Sequence, residues 1–457
     1  MSTPTISSLN ELGSKNIGKL LQQYAIPSII AMTAMSLYNI TDSIFIGRGV
    51  GALGISGLAI CFPLMNLAAA FGSLVGVGSS TLLSIRMGQK DYDTANKILG
   101  NLLMLNVVLG AFFGIVTLIF LKPILIFFKA SSDVLPYAYD FMSIILAGNI
   151  VTHMYMGLNA LLRSAGMPRQ SMYATIATVL INCILNPLFI FVFHWGMHGS
   201  ALATILSQLI MLVYQLRLFS NKNNFIRISK DIFRFNSKII SDTLSIGISP
   251  FMMNAVACLI VIVINQGLID HGNDLSVGAY GVVNRIAFLF VMVVFGINQG
   301  VQPIAGYNYG AKNYSRVTSV LKKAIVFATI VMTAGFAIVE LFPNFIASLF
   351  TDNDVLRTLS ANGLRLTFLC FPLVGFQMVT TNFFQSIGMA KMSIFLSLSR
   401  QLIFLLPCLY ILPHFYGVDG IWYSLPVSDF VAFLLALVML ILQMKKFKTM
   451  QTESIKN

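Results

Sequence analysis

Charged residues are scarce in this chain. Asp, Glu, Lys and Arg make up 10% of its 457 residues, whereas a soluble domain carries about 25%. Hydrophobic residues reach 57%, and the mean hydropathy is +0.82. This composition excludes a soluble enzyme, a disordered protein and a secreted disulfide scaffold, and it predicts an integral membrane protein.

Residues that carry enzyme or metal chemistry are also sparse. The five cysteines lie singly inside apolar runs without CxxC spacing, which indicates neither disulfides nor a thiolate metal site. No HExxH, GxSxG or phosphate-binding glycine loop occurs, and His194 and His198 have no third ligand nearby in the sequence. We therefore predict a protein that is not an enzyme and that needs neither a cofactor nor a resident metal.

Long apolar runs dominate the sequence instead. A membrane span takes about 20 apolar residues for a hydrocarbon core of roughly 30 Å, and the continuity of these runs favours helices over barrel strands, which alternate apolar and polar residues. We predict an all-α membrane protein with 12 transmembrane helices at residues 24–46, 55–85, 98–121, 137–162, 170–193, 199–219, 242–269, 278–306, 318–341, 358–386, 393–413 and 419–444.

Basic residues gather on one side of the predicted membrane. The chain has 29 Lys and Arg against 16 Asp and Glu, a net charge of +13, but a nucleic-acid partner would need them on one folded surface. They fall mostly in alternate loops, so the positive-inside rule predicts a multi-pass membrane protein with both termini cytoplasmic. Five basic residues lie on the opposite side of the membrane: Arg48, Lys122, Lys129, Arg357 and Arg365. Arg285 lies inside the membrane.

The same landmark residues recur at a nearly constant offset in the two halves of the chain. Pro27 corresponds to Pro250, and Lys90 corresponds to Lys312, at offsets of 223 and 222 residues. Each half holds six predicted helices, an even number, so the halves form two lobes related by a parallel repeat, with a pseudo-two-fold axis along the membrane normal. Such repeats are typical of transporters that work by alternating access. The predicted domains are an N-lobe at 1–219, a basic cytoplasmic linker at 220–241 and a C-lobe at 242–457.

Asp42 lies in the first predicted helix. A carboxylate inside the membrane costs enough free energy to indicate a function. As a cavity around it alternately wets and dries, this carboxylate can take up and release a proton. Alternatively, Asp42 caps a helix break before Gly47 and Gly49, or pairs with Arg48.

Asp429 lies near the middle of the last predicted helix. Its counterpart in the first half is Gln208, so the two halves are not chemically equivalent. Asp429 is either functional or part of a structural ion pair, for which Arg285 is the candidate partner.

Polar side chains of the fifth and sixth predicted helices could complete a pocket around Asp42. Asn182 and Asn186 are four residues apart and share one helix face, and Pro187 removes a backbone hydrogen bond beside them. Their oxygens would join that of Thr204 if the helices meet. Alternatively, the amides only tie helices together, as polar residues do in membrane bundles.

Several motifs in these segments resemble one known family. They are IPSIIAMTAMSLYNITDSIFIGRG in the first helix, LLRSAGMP after the fourth, INCILNPLFIF in the fifth, GMHGSALATILSQ opening the sixth and GVQPIAGYNYGAK after the eighth. Together they resemble the bacterial branch of the multidrug and toxic compound extrusion (MATE) transporters over nearly the whole chain. The resemblance implies two six-helix lobes that form a V, and export of cationic or amphipathic compounds in exchange for protons or sodium ions.

The resemblance also implies roles for individual residues. Asp42 matches the coupling aspartate, whose protonation would bend the first helix near Pro27. The other N-lobe positions are matched by Asn182, Asn186 and Thr204 for the cation site and by Asn159 and Tyr38 for the lining of the lobe. Relatives often carry an aspartate where this chain has Asn186, so this lobe has one carboxylate where they have two. Because a lone carboxylate can bind a proton unaided, whereas Na⁺ needs several oxygens, we predict proton coupling, with Na⁺ at the same four residues as the alternative.

Two other functions stay open at this stage. A flippase for lipids or lipid-linked oligosaccharides would need a cationic central cavity, for which Arg285 is the one candidate. A scaffold or receptor without transport would have little reason to retain Asp42 and Asp429 in the membrane. We therefore predict a monomeric drug exporter in the lipid bilayer, in which Tyr38 offers an aromatic face to cations and Asp429 and Arg285 line the substrate cavity.

Overall fold

The computed structural model of this chain describes residues 11–456. Within them the regular elements are helices, in agreement with the predicted all-α class. The α-helices are α1 (Ile17–Gly49), α2 (Ala52–Gly88), α3 (Tyr92–Ile119), α4 (Leu121–Phe127), α5 (Leu135–Ala147), α6 (Asn149–Ser164), α7 (Pro168–Pro187), α8 (Gly196–Ser220), α9 (Ser237–His271), α10 (Asp274–Gly310), α11 (Tyr314–Leu341), α12 (Pro343–Ser348), α13 (Asp354–Phe368), α14 (Phe371–Ser386), α15 (Ala390–Leu398), α16 (Leu406–Tyr416) and α17 (Val418–Lys456).

Two segments of the chain are π-helical. Leu188–Val192 follows α7 directly, and Ser399–Leu405 joins α15 to α16. Such wider turns change the direction of the side chains beyond them and are frequent at functional sites. A short 3₁₀ turn, Lys230–Ile232, lies in the segment between α8 and α9.

The membrane-spanning helices of residues 11–456 match the prediction in number. Ten helical segments are each long and apolar enough to cross a membrane, and two bent pairs raise the number to as many as 12. The bent pairs are α5 with α6, at 57°, and α13 with α14, at 53°. The sequence predicted these two spans as single helices without a bend.

The backbone repeats between the two halves. Lys90 and Lys312 have positive φ angles of 60° and 57°, and Gly166 and Gly388 have φ angles of 85° and 77°. Positive φ strains residues other than glycine, so its recurrence at both lysines reflects the same tight turn at the end of α2 and of α10. Together with the two bent pairs, these turns support the repeat that the sequence predicted.

The described residues divide into two compact units. One contains residues 11–15 and 30–251, and the other contains residues 16–29 and 252–456. The chain passes between units inside α1, two residues after Pro27, and inside α9, one residue after Pro250. The predicted domain limits of 1–219, 220–241 and 242–457 stay a prediction, and residues 1–10 and 457 within them lie outside the described residues.

The core of the first unit brings the site-bearing helices together. Ile46 of α1, Phe141 of α5 and Ala201 of α8 are fully or almost fully buried in one apolar cluster. A Cβ placed on Gly76 of α2 would lie 3.1 Å from Cα of Gly157 in α6, so these two helices touch through their backbones. Small residues permit this close packing, which stabilises helix pairs in membranes.

Candidate functional site

Asp42 is the centre of a buried polar cluster in the first unit. Its carboxylate, 7% exposed, faces α7 and α8 rather than the end of its own helix. Asn186 Nδ2 donates a hydrogen bond to Asp42 Oδ1, and Ser200 Oγ donates to the same oxygen at 3.0 Å. Among the described residues no basic group lies within 4 Å of this carboxylate, so Asp42 does not pair with Arg48.

Thr204 joins the remaining predicted residues to this cluster. Its Oγ1 donates to the backbone carbonyl of Ser200 at 3.1 Å. The same oxygen accepts hydrogen bonds from Tyr38 Oη at 3.0 Å and from Asn182 Nδ2 at 3.3 Å. Both lone pairs of the Thr204 hydroxyl are therefore occupied. The structure brings Asp42, Tyr38, Asn182, Asn186 and Thr204 together in one group of hydrogen bonds, and their roles remain predictions.

Helical spacing explains how the sequence builds this cluster. Asn182 and Asn186 in α7 and Ser200 and Thr204 in α8 are each four residues apart, so each pair lies on one face of its helix. Between them the chain turns back through the π-helical segment and Gly196, whose φ is 52°. The turn brings the polar face of α8 against that of α7.

A second polar cluster surrounds Asn159 of α6. Its Oδ1 accepts a hydrogen bond from Ser171, and its Nδ2 donates to Thr175 Oγ1 at 2.9 Å. Arg163, one turn further along α6, donates from Nη1 to Ser171 Oγ at 3.1 Å. Asn159 therefore belongs to this cluster and not to the hydrogen bonds around Asp42.

The two clusters lie along one face of α7. Thr178 Oγ1 lies 3.0 Å from Tyr155 Oη, between the two clusters. The buried polar residues of this face, at spacings of three or four, are Ser171, Thr175, Thr178, Asn182 and Asn186. We call this set the α7 polar column. Within the described residues no hydrogen bond joins Thr178 to Asn182, which lie one helical turn, or about 6 Å, apart along the axis.

Asp429 has a different environment in the second unit. Its Oδ1 accepts a hydrogen bond from Arg400 Nε at 2.7 Å, and the side chains are 8% and 31% exposed. Arg400 lies in the π-helical segment Ser399–Leu405. The partner expected from the sequence was Arg285, but Arg285 is exposed on α10 and pairs with no carboxylate among the described side chains. The ion pair is therefore Asp429–Arg400.

The atoms of the Asp42 cluster suit a proton better than a sodium ion. Asp42 Oδ2 makes no hydrogen bond within residues 11–456 and is available to a proton. Asn186 Oδ1 is buried and has no hydrogen-bond partner there, so it offers a further oxygen. Thr204 Oγ1 has no lone pair left, and a sodium ion at all four predicted residues would have to break its bonds to Tyr38 or Asn182.

Sequence reasoning missed several members of these clusters, among them Ser200, Arg163 and Arg400. Ser200 precedes Thr204 by one helical turn, so its spacing was the available signal. Arg163 was counted only among loop charges, and so was Arg400, although residue 400 falls inside the predicted span 393–413. Its position within that span was the signal for an intramembrane partner of Asp429.

Comparison with known proteins shows which family the chain resembles. The family model described as MatE matches residues 27–188 and again residues 250–411, once in each half. This double match confirms the internal repeat and the predicted resemblance.

Individual proteins agree with that match. Multidrug export protein MepA of Staphylococcus haemolyticus is 26% identical over 422 residues, which cover 92% of this chain and 93% of that protein. The MepA protein of Staphylococcus aureus is 24% identical over 424 residues, 93% of each chain. A solved outward-facing structure of a multidrug resistance MATE family transporter of the MOP superfamily superimposes with a TM-score of 0.92, at 24% identity, over 98% of this chain and 100% of that one. The structural match confirms the predicted fold.

Proposed function

Since this chain belongs to the MatE family, we propose that it is a secondary active exporter of organic drugs, driven by protons through Asp42. The observation that carries this proposal is a buried aspartate inside the membrane whose hydrogen-bond partners are all neutral. The MepA relatives are multidrug export proteins, which supports the same class of substrate.

The coupling depends on two charge states of one cluster. Without a proton, Asp42 carries a negative charge that attracts a cationic or amphipathic drug in a low-dielectric cavity. With a proton on Oδ2, the cluster is neutral and no longer holds the drug. Inward proton flow therefore returns the protein for the next export cycle by alternating access.

The α7 polar column supplies a route for the proton. The hydroxyls of Thr178, Tyr155 and Ser171 can each accept one proton and donate another, while Asn159 keeps Ser171 and Thr175 in line. This route requires water between Thr178 and Oδ2 of Asp42, because the amide of Asn182 does not relay protons. Arg163 ends the column near the cytoplasm, because the excess of basic loops places this end of α6 and both termini on the cytoplasmic side of a bacterial inner membrane.

The substrate side of the proposal uses the remaining predicted residues. Tyr38 presents its ring near Asp42 and suits organic cations. Pro27 lacks the N–H for a helical hydrogen bond inside α1, so it weakens this helix at the point where α1 passes from one compact unit to the other. A bend there would couple the charge of Asp42 to the shape of the cavity. The protein works as a monomer.

The test is ethidium efflux from proteoliposomes. An imposed pH gradient should drive efflux by the wild type and a sodium gradient should not, and Asp42→Asn should fall to the background of empty liposomes. The matched control is Asp133→Asn, because it makes the same chemical change at an exposed aspartate between α4 and α5. That variant should keep wild-type efflux.

Two results would overturn the proposal. Efflux by Asp42→Asn at the wild-type rate would remove Asp42 from the coupling step. If folded wild-type protein moves no dye under either gradient, drug export fails, and a flippase for lipid-linked substrates becomes the function to test with Arg285→Gln.

A further inference from the structure

The segment between α8 and α9 is fixed against α3 by two asparagines. Asn96 donates to the carbonyl of Phe225 at 3.3 Å and accepts from the N–H of Arg227 at 3.0 Å. Five residues further along α3, Asn101 donates to the carbonyl of Arg234 at 3.2 Å and accepts from the N–H of Asn236 at 3.0 Å. The side-chain amides of Asn96 and Asn101 thus hydrogen-bond the backbone N–H and carbonyl groups of this linker.

Gly100 lets the linker lie directly on the helix. A Cβ at this position would lie 2.1 Å from the backbone oxygen of Ile232, so any other residue would push the linker away. Tyr92 and Phe225 add an edge-to-face ring contact with centroids 4.4 Å apart. The linker is therefore part of the first unit with a defined position, not a loose connection.

This placement creates an apolar groove of about 420 Å³. Its walls come from α3, α6, α8 and the linker, and its lining includes Leu103, Val107, Met154, Leu216, Phe233 and Phe235. Val107, Phe233 and Phe235 are 44%, 47% and 61% exposed. Every lining side chain is apolar, so the groove suits a hydrocarbon chain and offers nothing to orient a polar drug.

Two arginines are neighbours of groove-lining residues along the chain. Arg217 follows the lining residue Leu216, and Arg234 lies between the lining residues Phe233 and Phe235. Both arginines are exposed, and no carboxylate lies within 4 Å of either among the side chains that the structure describes. The linker from 221 to 236 has four basic residues and a single acidic one, Asp231. Two arginines without acidic partners match the charge of a phosphate group.

We infer that this groove binds one anionic phospholipid of the cytoplasmic leaflet. One acyl chain lies along Leu103, Val107 and Met154, and the phosphate is held by Arg217 and Arg234. Basic residues next to a membrane helix attract anionic lipids in this way, whereas the same charge repels the cationic drugs proposed above. The assignment to the cytoplasmic leaflet rests on the proposed orientation, but lipid binding itself does not.

Native mass spectrometry of the purified protein tests this inference without any gradient. Dioleoyl phosphatidylglycerol and dioleoyl phosphatidylcholine are titrated into the detergent-solubilised wild type and into the double variant Arg217→Gln/Arg234→Gln. The wild type should retain phosphatidylglycerol in preference to phosphatidylcholine. The double variant should retain one lipid fewer, with affinity for the lost site reduced at least about tenfold, because both charge-assisted contacts to the phosphate are removed.

Two further variants separate the charge from the groove. Lys322→Gln/Lys391→Gln removes the same charge at exposed lysines of the second unit and should bind like the wild type. Val107→Trp fills the groove on its exposed side, keeps both arginines and should also lose one lipid. Glycerol phosphate alone should not compete, because it has no acyl chain.

Three outcomes would overturn the inference. They are equal retention of both lipids by the wild type, unchanged lipid number in the arginine double variant, and full competition by glycerol phosphate, which would indicate a phosphate site in place of a lipid site. None of these depends on whether Asp42 couples transport, so failure of the proposed function leaves the result interpretable.

Discussion

The two buried aspartates of the membrane region differ in what balances their charge. Asp42 in the first unit receives hydrogen bonds from an amide and a hydroxyl, both neutral. Asp429 in the second unit receives its hydrogen bond from a guanidinium at 2.7 Å. The repeat therefore duplicates the backbone but not the electrostatics, and only the first unit holds an uncompensated carboxylate among these two sites.

This difference separates a coupling group from a structural one. A carboxylate with neutral partners changes the charge of its surroundings when it binds a proton. A carboxylate paired with arginine forms a neutral unit, and breaking that unit leaves a charge without a partner in a poorly solvated site. We therefore expect changes at Asp42 to act on transport and changes at Asp429 to act first on stability.

The largest expected effect comes from giving the first site a second carboxylate. Asn186→Asp places another acidic group against Asp42, where two like charges are stabilised by a shared cation. A sodium gradient, which should not drive the wild type, should then drive ethidium efflux in proteoliposomes. Asn186→Leu has a similar size without the charge and should not respond to sodium. An equal response of both variants would show that the number of carboxylates does not select the ion.

The second effect concerns the stability of the Asp429–Arg400 pair. Asp429→Asn should lower the free energy of unfolding by about 2 kcal/mol, below the roughly 3–5 kcal/mol of a fully buried pair, because Arg400 is 31% exposed. The measurement is thermal unfolding in detergent. The double variant Asp429→Leu/Arg400→Met should recover most of the loss, since an apolar pair leaves no charge unpaired.

An exposed ion pair of the same unit provides the control. Asp354 and Arg357 lie in contact at 2.5 Å on the surface of α13, so Asp354→Asn should change stability by less than about 1 kcal/mol. If Asp429→Asn changes the free energy of unfolding as little as this control and abolishes efflux, Asp429 acts in transport and the structural interpretation fails.

The smallest effect tests the α7 polar column. Tyr155→Phe removes the hydroxyl that lies 3.0 Å from Thr178 Oγ1. Loss of one hydrogen bond, worth about 0.5–1.5 kcal/mol, should slow efflux driven by a pH gradient roughly two- to tenfold. Tyr173→Phe makes the same change at an exposed position of α7 and should leave the rate unchanged. Equal rates in Tyr155→Phe and the wild type would exclude the column as the proton route.

The sequence predicted those features that depend on short spacings along one helix. Apolar runs of sufficient length indicated the spans, the recurring Pro27 and Pro250 indicated the repeat, and the four-residue spacing of Asn182 and Asn186 placed both amides on one face. The cost of an isolated carboxylate in the membrane was enough to single out Asp42. These inferences need only helix geometry and the solvation of charge.

Contacts between helices were beyond the reach of such reasoning. For the structural alternative of Asp429 the sequence offered Arg285 as partner, whereas the partner is Arg400, and the sequence did not find Ser200 beside Asp42. It predicted a basic linker at 220–241, but not that Asn96 and Asn101 hold that segment on α3. Each of these contacts depends on how far two helices are rotated and shifted against each other.

The class, the repeat and the importance of Asp42 could therefore be predicted from residue spacing and composition. Which of the two carboxylates has a charged partner became clear only from the packed helices. The two kinds of feature depend on distances of different range. Spacing along a helix is set by 3.6 residues per turn, whereas pairing across helices is set by the packing of many side chains and small residues at once. Asp42 and Asp429 look alike in the sequence, and only their neighbours in space tell them apart.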